Sequence, residues 1–427
     1  MTQIKVSGKN WRTVLSLVVA GLGISYFFIQ ALTLGGVWLT SFFDNQENFS
    51  QAISYGLLIW SSILAGLLLL PVFLLSLYRL RDRDVPDWLN TSRPIYQKMA
   101  RWLILVWPIF VFLGWLVAGR PMIAAFLLGP INLLVAGIPI LWVYNGSRYQ
   151  LEGGPPIRQW RIFGFSLTLM PLIVIVVELI ALAIFGGIAA LWFSYRTSVD
   201  PVLERELMAL IDQVRQSGQD LETILELLRP YILQPTVIFW ALAIFGGIVP
   251  IIEETLKPLA LWGLAGREIS PQEGFVGGLL SGAGFALMEN ILYFTTAIVA
   301  EDWLFMAIGR AGTGVLHMLA SGMVGWGLAS AWRDKKWFFQ ALLTLGAFIF
   351  HGLWNALALA TSIGSIYLAG TNTTVWQDLL LNLPVLLLLV VSALVMFQIN
   401  RHFRTRTALI SEAEMDPSIE DDTGEDS

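Results

Sequence analysis

The stretch "GIVPIIEETLKPLAL", residues 247–261, sets two glutamates and a lysine into what otherwise reads as the middle of a membrane helix. Each ionisable group near a bilayer centre costs about 2.5–3.5 kcal/mol on insertion scales, so Glu253, Glu254 and Lys257 need a reason to be there. Positions four apart share a helix face, which predicts Glu253 one turn from Lys257, with Glu254 also within its reach. Pro250 and Pro258 bracket the cluster and Gly246-Gly247 precede it; proline in a span frees backbone carbonyls and permits a kink. Alone, such a cluster would also suit an electrostatic staple between helices.

The surrounding chain establishes the membrane setting. Its 427 residues are 56% hydrophobic and 13% charged, with 18 Trp and 25 Phe, a balance far too apolar for a soluble domain of this length. There are no cysteines, which excludes disulfides, thiolate metal sites and cysteine nucleophiles. The net charge of -5 comes from the last stretch, residues 411–427, where eight acids and no base predict a disordered tail. The first apolar run, 14–39, is much longer than a signal-peptide core and reads as a retained anchor.

Runs able to cross about 30 Å of hydrocarbon predict ten spans, near 14–39, 53–78, 102–118, 122–144, 162–195, 236–262, 274–299, 304–331, 338–360 and 377–399. With the N-terminus inside, 19 of the 26 Lys and Arg fall on cytoplasmic segments and five on the opposite side, as the positive-inside rule requires. The fold class is therefore all-α: a polytopic helical bundle with both termini cytoplasmic. It divides into a five-span region 1–195, an outer loop 196–235, a second five-span region 236–400 and an acidic cytoplasmic tail 401–427. The loop "PVLERELMALIDQVRQSGQDLETILELLRPYI" (201–232) repeats apolar residues at helical spacing on either side of Ser217-Gly218, which predicts an amphipathic helical hairpin on the outer face. The octapeptide "ALAIFGGI" occurs at 181–188 and at 241–248, but its flanks do not follow, and these residue types fill every membrane helix.

Three further spans carry polar groups. In "GFVGGLLSGAGFALMENILYF" (274–294), small residues make one face and Glu289-Asn290 lie near mid-span. "GTGVLHMLASGMVGWG" (312–327) holds His317, and "FIFHGLWNALAL" (348–359) holds His351 with Asn355 one turn on. At 1.5 Å rise per residue, Glu253 falls about 6 Å to the cytoplasmic side of its span midpoint. On the same rise, Glu289, His317 and His351 each fall within about 3 Å of theirs. Four spans thus bring carboxylates and imidazoles to nearly one level, which predicts a water-filled cavity at mid-membrane. Asn132 and Glu178 are lone polar groups in the first half, outside the predicted site; Glu178 reads as a structural carboxyl, with a second partner for Lys257 as the alternative.

These motifs resemble the PrsW family of intramembrane proteases. Glu253-Glu254-Thr255-Leu256-Lys257 matches EExxK, Phe285 to Asn290 matches FxxxEN, and His317 and His351 follow in the family's order, so that residues 236–360 carry the resemblance. PrsW proteins are related to CaaX prenyl endopeptidases and CPBP proteins, whose glutamate–histidine sites lie in a membrane cavity. The resemblance implies catalytic roles for Glu253, Glu254, Glu289, His317 and His351, with Lys257, Asn290 and Asn355 in support. Glu253 is similar to the glutamate that activates water in the relatives. Where they have FxxxH this chain has Glu289, so His317 is the candidate for the missing imidazole. His351 and Asn355 resemble a final HxxxN that donates to the developing oxyanion.

The expected function is hydrolysis of a peptide bond in a membrane-anchored protein by glutamate- and histidine-activated water, by analogy an anti-sigma factor cut in regulated proteolysis. No cofactor is expected, and no nucleic-acid partner; the partners are the substrate and the bilayer. A zinc metalloprotease is the first alternative, with Glu253, Glu289, His317 and His351 as ligands, although HExxH is absent and Lys257 would compete with a cation. The second is a transporter or receptor using the same buried charges. A bacterial plasma membrane suits the multi-pass chain.

Overall fold

A computed structural model describes residues 11–44, 49–89, 94–218, 221–295, 300–368 and 375–415. Among them there is no strand, and ten helices are long and apolar enough to cross a membrane: Trp11–Phe42, Gln51–Leu80, Gln97–Ala118, Pro121–Ser147, Pro156–Val199, Pro235–Trp262, Pro271–Phe294, Trp303–Asp334, Trp337–Leu368 and Leu379–Arg406. These are the ten spans expected from hydropathy. The chain is a multi-pass membrane protein.

The helices are α1 (Trp11–Asp44), α2 (Phe49–Leu80), α3 (Pro94–Leu103), α4 (Trp107–Ala118), α5 (Pro121–Ser147), α6 (Pro156–Val199), α7 (Pro201–Gln216), α8 (Leu221–Ile232) and α9 (Pro235–Ala243). A π-helical turn, Ile244–Ile248, then leads into α10 (Val249–Leu256), followed by α11 (Leu259–Trp262), α12 (Pro271–Phe294), α13 (Ala300–Asp334), α14 (Trp337–Leu368) and α15 (Val375–Met415). The 201–232 stretch is helical as expected, in α7 and α8. Asp200 caps α7 by accepting from the N–H groups of Val202 (3.1 Å) and Leu203 (3.2 Å), and Gly218 takes a left-handed φ of 63° after it. One expectation is corrected: α15 runs to Met415, so residues 401–415, read as part of a disordered tail, are helical. The first acids of the tail follow alanine, leucine and arginine residues that favour helix, and the apolar helix before them supplies the nucleus. Residues 416–427 lie outside the described residues.

Contacts gather the chain into two compact units, one of Met1–Pro171, Lys257–Ala347 and Val391–Ser427, the other of Leu172–Leu256 and Phe348–Val390. The core of the first unit is α12 against α13. Glycines at four-residue intervals let the two backbones meet: a methyl added at Gly282 would stand 2.3 Å from the His317 carbonyl oxygen, and one at Gly274 would stand 2.4 Å from that of Gly325. No residue with a Cβ fits there unless a backbone moves, and this contact sets the height of His317 against α12. In the same unit Trp303, fully buried, donates from Nε1 to Asn132 Oδ1 at 2.7 Å. Asn132 thus anchors the Trp303 indole.

In the second unit α14 passes equally close to the π turn. A methyl on Gly352 would stand 2.4 Å from the Gly246 carbonyl oxygen. Thr361 ties α14 to α15 by donating to the Leu381 carbonyl at 3.1 Å.

Candidate active site

In the second unit the site is built around His351. Pro250 has no N–H to give the helix and Gly246-Gly247 resist a regular turn, so the chain widens into the π turn before α10. Asn355, one turn beyond His351 on α14, donates from Nδ2 to the Phe245 carbonyl of that turn at 3.0 Å. The amide expected to serve an oxyanion is therefore engaged in holding α14 against the turn. Glu253 and Glu254, consecutive on α10, both approach one imidazole. Glu254 Oε1 is 2.8 Å from His351 Nδ1, and Glu253 Oε2 is 3.9 Å from Nε2, beyond hydrogen-bond reach. All three side chains are buried.

A carboxylate at Nδ1 accepts, so the neutral ring carries its proton there and presents a lone pair at Nε2. That tautomer is assigned from the partner. In that tautomer Nε2 faces the Glu253 carboxylate at 3.9 Å.

In the first unit a chain of polar groups runs across α12 and α13. Lys257 lies past the end of α10, because the residue before Pro258 is disfavoured in a helix. The helix expected to run on through Lys257 therefore ends one residue before it. The Lys257 ammonium lies 2.8 Å from His317 Nδ1 and 4.3 Å from the centroid of the Phe285 ring. Its backbone carbonyl accepts from Ser281 at 2.7 Å. On the far side of the imidazole, Nε2 is 2.7 Å from Glu289 Oε2. An ammonium can only donate, so Nδ1 accepts and Nε2–H donates to the carboxylate. Both ring nitrogens of His317 are engaged.

Arg310 completes this chain, and the sequence reading assigned it nothing. It donates to Glu289 Oε2 at 2.5 Å and to Asn290 Oδ1 at 2.7 Å, and its own carbonyl accepts from Asn290 Nδ2 at 3.2 Å. The guanidinium also lies 4.3 Å from the centroid of the Tyr293 ring. The signal was present: Arg310 precedes His317 by seven residues, two turns on one face, opposite the adjacent pair Glu289-Asn290.

Comparison with known proteins gives one match. Residues 219–395 match the PrsW-protease family, described as PrsW family intramembrane metalloprotease. This region is similar to the PrsW family. No curated protein and no solved structure matches the chain. The PrsW region contains all eight residues singled out in the sequence, and Arg310 as well, while residues 1–218 and 396–427 lie outside the match. The matched family is one of intramembrane proteases.

For a PrsW-type protease the clamp on Glu289 has a measurable consequence. Arg310→Gln is expected to lower proteolysis roughly 10- to 100-fold, the usual effect of losing an outer partner that fixes a site histidine. Arg310→Lys keeps the charge but loses the planar fork, and should recover part of the rate. Cleavage rates measured beside thermal midpoints separate this from a packing defect, which would move both variants' midpoints in step with their rates.

Proposed function

We propose that the chain is an intramembrane protease that hydrolyses a peptide bond of a membrane-anchored protein, with Glu253 and His351 acting on the attacking water. The observation that carries this reading is the arrangement around His351. Glu254 engages Nδ1, and the Glu253 carboxylate lies 3.9 Å from Nε2, so two basic groups face each other across the width of one small molecule. A water hydrogen-bonded to both has its protons directed at bases and its oxygen lone pairs free for a carbonyl carbon. Glu253 takes the proton as attack proceeds, and Glu254 holds the ring in its tautomer.

In the first unit the Lys257 ammonium rests on His317, with Glu289 and Arg310 fixing the imidazole from behind. His317 is then a positioning group and Glu289 its anchor. By family analogy the substrate is an anti-sigma factor cut in regulated proteolysis, in a bacterial plasma membrane with both termini of the protease cytoplasmic.

A zinc-dependent version is favoured by a separate observation. Glu253, Glu254 and His351 each offer a ligand atom within 4.8 Å of the others, and the family's description names a metalloprotease. The donors fit: Glu253 and His351 Nε2 would hold the ion, with Glu254 behind the imidazole as is usual for metal-bound histidines. When bound, zinc would supply Lewis-acid polarisation. Glu289, taken up by Arg310 and His317, is a poorer ligand than the motif alone suggested.

Protein purified without added zinc and reconstituted with a single-pass substrate decides between the two. The glutamate reading expects cleavage unchanged by chelator; loss in chelator with recovery on adding Zn²⁺ selects the metal. A membrane proteome that is the same with and without the gene under several stresses would remove the protease reading altogether.

A further inference from the structure

One end of the first unit gathers arginines from four chain segments. Arg12 opens α1, Arg79 closes α2, Arg158 and Arg161 open α6, and Arg267 lies in the loop ahead of α12. Arg161 Nη2 donates to Thr13 Oγ1 at 3.4 Å, which ties the start of α6 to the start of α1. Gly164, one turn on, faces Leu69 and Val72 of α2, a methyl there standing 3.2 Å from each. Arg158 is paired with Glu273, which also receives the Ser270 N–H in the capping box of α12, so the loop carrying Arg267 is anchored to α6.

The charges are close enough to disturb one another. Burial, then the repulsion of Arg12, Arg158 and Arg79, pulls the Arg267 guanidinium below its usual range. Arg79 and Arg267 are in turn the like charges acting on Arg161. Arg161 Nε is buried with no hydrogen-bond partner among the described residues. An arginine cluster held together against its own repulsion by the ends of apolar helices is built to meet an anion, and guanidinium forks match phosphate oxygens in pairs.

We propose that this end of the unit binds the phosphate of an anionic phospholipid headgroup. A lipid is favoured over a free phosphate because four of the five arginines lie at the ends of helices long enough to span, the level at which headgroups sit. Beside them Trp11 is 66% exposed and lies under the Arg12 guanidinium, 5.6 Å from its ring centroid, an aromatic placed as at a membrane interface. The site is independent of the protease reading, since none of its residues belongs to that machinery.

The test uses the full chain, delipidated in neutral detergent and titrated with dihexanoylphosphatidylglycerol, dihexanoylphosphatidylcholine or inorganic phosphate. Saturable binding of the glycerol lipid and not the choline lipid is expected. Arg79→Gln with Arg267→Gln, both exposed in the fold, should weaken that binding by about tenfold or more. Lys335→Gln with Lys336→Gln, removing two exposed charges elsewhere, should leave it unchanged. Equal affinity for inorganic phosphate keeps the site and reassigns its source to free phosphate. Equal binding of the choline lipid, an arginine variant that binds like the parent, or a lysine variant that loses as much overturns the proposal. Binding that emerges only after residues 411–427 are removed would give the site to the acidic tail and overturn the lipid.

Discussion

Glu253→Gln leaves a protein that inserts and unfolds like the parent but no longer cleaves. The substitution keeps the side chain's shape in a nearly closed environment, where Glu253 is 6% exposed, and removes only its capacity to take a proton. Loss of a positioned general base commonly costs on the order of 10²–10⁴-fold in rate. A structural ion pair responds in the opposite sense: the amide would move the thermal midpoint and spare the turnover. Cleavage of a reconstituted single-pass substrate, measured beside thermal unfolding, distinguishes the two, and a variant cleaving at the parental rate would return Glu253 to packing.

His351→Ala has an effect of similar size for a different reason. It removes the Nε2 acceptor facing Glu253 and also leaves Glu254, 0% exposed, without its imidazole. The expected rate loss is about 10²–10⁴-fold, accompanied by destabilisation of up to about 3–5 kcal/mol for a buried charge deprived of its partner. His351→Gln, nearer in size, limits the second effect and should retain the first. If His351 serves through Nε2, Glu254→Gln is expected to be milder, roughly 10- to 100-fold, because the ring stays while the charge that fixes its tautomer is lost. Equal losses in His351→Gln and Glu254→Gln would instead make the pair one inseparable unit.

The ten spans were legible because length and hydropathy alone decide them, and the helices of 201–232 because their apolar period breaks at Ser217-Gly218. The glutamates and histidines were legible as groups too costly to be incidental in lipid. Their partners were not. Periodicity along one helix says which residues share a face and nothing about which residue of another helix meets them. Lys257 was read forward along a continuous helix to Glu253, while the pre-proline position ends α10 at Leu256 and leaves the ammonium for a histidine sixty residues on. Arg310 was passed over because its role exists only through the glycine-mediated approach of α12 to α13, which fixes the height at which Glu289 and Asn290 meet it. Asn355 kept its predicted position beside His351 and changed employment, since the π turn presents a carbonyl that a regular helix would have used itself.

That π turn makes length a heritable specification. A residue added or lost in a helix turns everything after it by about 100°, and the wide turn at Ile244–Ile248 sets the bearing from which Glu254 reaches His351. The apolar letters of Ile244-Phe245-Gly246-Gly247-Ile248 are, apart from the tightly fitted Gly246, open to respelling. An in-frame loss of one codon among them would silence the gene product as surely as mutating a glutamate, with every charged residue still encoded.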